Sequence, residues 1–258
     1  MHKITRAIIG LIIANILVFL YAYGVFLQIT LFPNYSLTLQ HVLEPVFYAL
    51  VFIVSNYFLF KAIYFSKREV TEKFGEARFL TPTIFLILIL GTGFGIHTAA
   101  QMIEDLLGYN DKTLVYNLAV ALEEGPGHWF FSLPLLVLYF FLSKIELNRK
   151  PVSLKSFEKT TIVISSIIAG VGLGLNGFEG NFNGFTQHLF LIPLAGFLLF
   201  KFYRCKKIYK LQLWNFPFFE FFFYTLIFYF IFTLIFSLFY GFNTSPDVDL
   251  KWIIKLPF

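Results

Sequence analysis

Four histidines, His41, His97, His128 and His188, fall inside long apolar runs, where an ionisable side chain is costly and marks a functional position by default. Acids accompany them: Glu44, Glu104, Asp105, Glu123, Glu124 and Glu179. Glu124 and His128 have the i, i+4 spacing of one helix face. His97 and Glu104 also share a face, with Gln101 between them. Neutral imidazoles with carboxylates suit Zn or Fe. Cys205 is the single cysteine, so a thiolate cluster is excluded and the site must be N/O-ligated. The sequence reading therefore assigns His97, His128 and His188 as metal ligands. It assigns Glu124 or Glu179 as a further ligand or general base. His41 lies nearer an interface and is left out of the set. Three protein ligands and an open position form a catalytic arrangement. An ion held there polarises a carbonyl or phosphoryl group and acidifies water.

The elements that must position these residues are membrane-spanning helices. The chain is 258 residues, 58% hydrophobic and only 14% charged, well below the roughly 25% charge of soluble domains. Seven segments are long and apolar enough to cross a bilayer, which takes about 20 residues: 6–31, 40–65, 79–104, 113–142, 158–180, 184–203 and 216–241. The first continues to Phe32, too long for a signal peptide's apolar core, and is read as an uncleaved helix. The expected fold is an all-α bundle of seven transmembrane helices, with residues 1–258 forming one polytopic domain. Of the 20 Lys and Arg, all but Lys112, Lys251 and Lys255 fall at one end of these spans. The positive-inside rule then puts the amino terminus in the cytoplasm and the carboxyl terminus outside. The net charge of +5 is spread over short connections, which argues against a nucleic-acid partner.

Two glycine runs stand inside spans: Gly91, Gly93 and Gly95 ahead of His97, and Gly170, Gly172 and Gly174 ahead of Asn176. A phosphate loop needs a strand before it, so these are packing glycines, which let helices approach closely in a bilayer. The expectation is that they bring the third and fifth spans together. Each returning span then has a His followed by a Pro (His128 and Pro134, His188 and Pro193), a pattern that reads as repeated helical hairpins. Gly125-Pro126-Gly127 disfavours a regular helix between Glu124 and His128. Irregular backbone at membrane depth is tolerated only where protein or a water-filled cavity covers it, so a break there aims both residues into a polar cavity.

The chemistry expected is that of a membrane-embedded, metal-dependent hydrolase or lipid-modifying enzyme in the plasma or inner membrane. Its substrate would be a lipid or another apolar molecule near the outer leaflet. The ion would be divalent Zn or Fe. Two alternatives use the same residues: a metal-ion or proton transporter, and a haem or quinone redox protein. The inner halves of the spans read as nearly bare of polar groups, with Asn56, Ser165, Ser166 and Glu220 the main exceptions, which favours an enzyme or receptor over a conduit.

Overall fold

The computed structural model of the protein describes residues 1–22, 39–64, 76–107, 113–179, 192–200 and 215–240, with Tyr203, Arg204 and Lys207. All the described elements are helices. They are α1 (Lys3–Ala22), α2 (Leu39–Tyr64), α3 (Glu76–Leu107), α4 (Leu114–Leu122), a π-helical turn (Glu123–Gly127), α5 (His128–Leu147), α6 (Ser156–Glu179), α7 (192–200) and α8 (Pro217–Tyr240). Four stretches are long and apolar enough to cross a membrane: Thr83–Glu104, Leu114–Leu147, Ser156–Gly174 and Pro217–Phe236.

Three polar contacts tie helix ends together at one end of the bundle. The amide of His2, just before α1, donates to Glu158 Oε1 in the first turn of α6. Arg149, just past α5, donates to the carbonyl of Tyr64, the last residue of α2. Glu146 Oε2 near the end of α5 accepts the Phe219 amide of α8 at 2.7 Å. The last contact has a plain cause. The first amides of a helix have no partner in their own helix, and Pro217 opens α8 with no amide to offer. Glu146 supplies one of the missing acceptors from a neighbouring helix. The starts of α1, α6 and α8 and the ends of α2 and α5 therefore share one end, as an up-and-down arrangement requires. That end also exposes Lys3, Arg6, Lys61, Lys144, Lys150 and Lys155.

Glu220, which the sequence marks as an exception to the sparse polar content of this end, is buried there, and Glu146 and Glu158 at the helix ends are buried beside it. Above them the core is mainly apolar and aromatic, with Ser143, Ser165, Ser166, Thr225 and Thr233 buried within it. Tyr139 of α5 meets Phe218 and Phe222 of α8 edge-on at 5.5 and 5.8 Å. Leu136, Leu138, Tyr139 and Leu142 are buried apolar residues of the middle of α5.

The two glycine runs do different work. A Cβ added to Gly170 would fall 2.8 Å from both Phe228 Cβ and the Thr225 carbonyl oxygen; one on Gly174 would fall 2.5 Å from the Phe232 ring. Ser166 Oγ donates to the Phe221 carbonyl at 2.9 Å in the same seam. Gly170 and Gly174 of α6 thus seat α8, running parallel to it, and not α3 as the sequence pattern implies. Around Gly91 and Gly95 of α3, nothing among the described residues lies within 4 Å of an added Cβ. Similar spacing in the two spans does not carry a common packing role.

Candidate metal centre

The local cause of the site is Pro126. Proline has no amide to donate to the carbonyl four residues back, and its ring collides with that carbonyl. Flanked by glycines, the chain relieves the conflict by widening one turn. Glu123–Gly127 closes as a π-helical turn, and the His128 amide donates to the Glu123 carbonyl, five residues back, as well as to that of Gly125. The helix resumes at once as α5. An α-helical turn would stack Glu124 over His128. The wider turn instead puts Glu123 in register with His128. Single π turns of this kind are frequent at functional sites.

Gly127 determines how closely the turn approaches α3. A Cβ there would fall 3.1 Å from His97 Cα, 3.2 Å from its backbone nitrogen and 3.2 Å from its Cβ. A side chain there would make α3 give way by a few tenths of an ångström, so glycine suits this close approach. Hence His97 and His128, on consecutive antiparallel segments, come into edge contact, with ring centroids 4.8 Å apart and planes at 85°.

His97 Nδ1 lies 3.4 Å from Glu123 Oε1. One potential ligand atom from each of His97, Glu123 and His128 lies within 4.8 Å of the others. Bonds of about 2.0–2.2 Å to N and O ligands give a tetrahedron whose edges are roughly 3.3–3.6 Å. The His97–Glu123 separation already matches such an edge, and the widest pair needs to close by little more than an ångström. His97 Nδ1 makes no hydrogen bond although it is buried, and a buried polar atom left unpaired is costly. An ion bonded to that nitrogen removes the penalty. The donor set of two imidazoles and a carboxylate suits Zn or Fe, and it leaves a fourth position open. His128 is buried, while the side chains of His97 and Glu123 keep 26% and 14% of their surface exposed. The group is therefore partly exposed among the described residues, while His97 Nδ1 itself is buried.

Of the residues singled out in the sequence, the fold brings His97 and His128 together. His188 and the side chains of Glu124, Glu179 and His41 lie outside the described residues. Glu104 is buried on α3, two turns beyond His97. Glu123, not assigned a role by spacing, is the carboxylate that faces the histidines among the described side chains. Pro126 was the signal for it, because a proline at that point changes which acid shares the face of His128.

Comparison with known proteins gives no match: no family model fits the chain, and neither a curated protein nor a solved structure is similar to it.

Proposed function

We propose that this protein is a seven-span, metal-dependent membrane enzyme, a hydrolase or lipid-modifying enzyme, with its amino terminus in the cytoplasm. His97, His128 and Glu123 hold a divalent Zn or Fe ion. The convergence of these three side chains, carried by α3, the π turn and α5, is the observation that supports this reading. The bound ion supplies Lewis acidity and lowers the pKa of water. The chain's own residues hold the ion, keep one side of it open and surround it with apolar helix. His188 is retained from the sequence as a further ligand, which with water in the open position makes a five-coordinate ion, and Glu124 or Glu179 as the base that takes a proton from water. The exposed Lys and Arg at the far end of the bundle support the orientation.

A haem is disfavoured by the contact between the rings. Two histidines that ligate one haem iron stand on opposite faces of the porphyrin, whereas His97 and His128 touch edge to face. A conduit is disfavoured by the buried apolar residues of α5 between the two polar ends.

The test is elemental analysis of the purified protein in detergent beside a His97→Ala, His128→Ala double variant. The reading expects about one equivalent of Zn or Fe in the wild type and none in the variant. A well-folded wild type without metal would remove the proposal.

A further inference from the structure

The depth of the site and its surroundings narrow the substrate. α3 climbs about 28 Å from Arg78 in its first turn to His97, at 1.5 Å per residue. α5 climbs about 24 Å from the exposed Lys144 to His128. The hydrocarbon core of a bilayer is about 30 Å thick, and headgroups begin outside it. With the charged end at one boundary, both histidines lie just inside the opposite boundary. The residues beside the site agree. Leu122, just before the π turn, and Trp129 and Phe130, just after it, are exposed. Apolar side chains are therefore exposed on both sides of the site along the chain, so lipid chains, not headgroups, border the partly exposed His97 and Glu123. The first polar group met along a lipid chain is the carbonyl that joins it to the rest of the molecule.

We infer that the group acted on is the acyl carbonyl of a membrane lipid, in ester or amide linkage, and not its phosphate. The inference rests on the metal-site reading above. The step is hydrolysis. A water oxygen bonds to the carbonyl carbon, and the carbon–oxygen or carbon–nitrogen bond to the rest of the lipid breaks. The proton lost by water goes to the departing oxygen or nitrogen. The products are a fatty acid and an alcohol or amine, with no oxidant or reductant needed.

The experiment uses full-length protein in vesicles, with its metal content measured in the same preparation. The vesicles carry diester phosphatidylcholine labelled separately in the acyl chain and the headgroup, an amide-linked sphingolipid labelled in its acyl chain, or diether phosphatidylcholine, which has no acyl carbonyl. The expected result is release of labelled fatty acid from the ester or the amide lipid, no product from the diether lipid and no water-soluble phosphate. His97→Ala, checked for folding by its elution and helix content, should fall to the protein-free background. Metal-loaded protein that releases headgroup phosphate, cleaves the diether lipid or releases no fatty acid overturns the inference and leaves the metal site standing. Protein that binds no metal overturns both.

Discussion

His97 Nδ1 and Glu123 Oε1 stand 3.4 Å apart across the contact between α3 and the π turn. This is beyond the usual 2.7–3.2 Å of a nitrogen–oxygen hydrogen bond and close to the edge of a tetrahedron around Zn. The pair separates two readings of the neighbouring acids. With Glu123 as a ligand, Glu123→Gln should weaken metal binding by more than the roughly 10–100-fold typical of losing an outer-shell partner. Glu124→Gln should keep the metal and lower turnover if Glu124 is the base. Metal titration of both variants decides, and equal affinity in the two would remove Glu123 from the set.

Pro126 is expected to matter for register and not for stability. Pro126→Ala restores an amide that can donate to the Leu122 carbonyl, and the turn can relax to a regular α-helix. Glu123 then rotates away from His128 by about one residue's turn of the helix. Proline inside a helix costs up to about 3 kcal/mol relative to alanine. The variant should therefore melt at or above the wild-type temperature while losing metal. Retention of full metal content would contradict the assignment of the π turn as the positioning device.

The glycines give a graded set. Gly127→Ala places a methyl 3.1–3.2 Å from the His97 backbone, so it should push α3 away and reduce metal binding. Gly170→Ala places one 2.8 Å from Phe228 Cβ and the Thr225 carbonyl. Overpacking there should cost about 1–3 kcal/mol or more with metal stoichiometry unchanged. Gly91→Ala and Gly95→Ala meet nothing among the described residues within 4 Å and should raise stability by about 0.5–1 kcal/mol each. Thermal melts and metal content measured side by side check the ranking.

Cys205 reports the orientation. It is the single cysteine and follows Arg204, which is exposed. A membrane-impermeant maleimide applied to intact cells should leave it unlabelled, and labelling should appear once the membrane is opened. Labelling of intact cells would reverse the assigned topology.

Much of the architecture was legible in the sequence because bilayer physics acts on local composition. The apolar runs of α3, α5, α6 and α8 need no knowledge of neighbours to be read as helices. His97 stood out for the same reason, as an ionisable group deep in an apolar run. Glu123 was passed over because face assignments assumed an even helical pitch, and Pro126 breaks that pitch for one turn. The glycines of α6 looked like those of α3 because spacing says nothing about which helix lies opposite. Glu146 went unremarked because it sits among lysines that mark a membrane boundary, and its role as acceptor for the Phe219 amide depends on a helix far along the chain.

The central claim is that His97, Glu123 and His128 bind one ion together. X-ray absorption at the edge of the metal that copurifies with the protein tests this most directly. The account predicts a shell of imidazole nitrogens and oxygen at about 2.0–2.2 Å, without sulfur. It also predicts that the imidazole signal falls in His128→Ala. A shell without imidazole, or a folded protein that binds no metal, would contradict it.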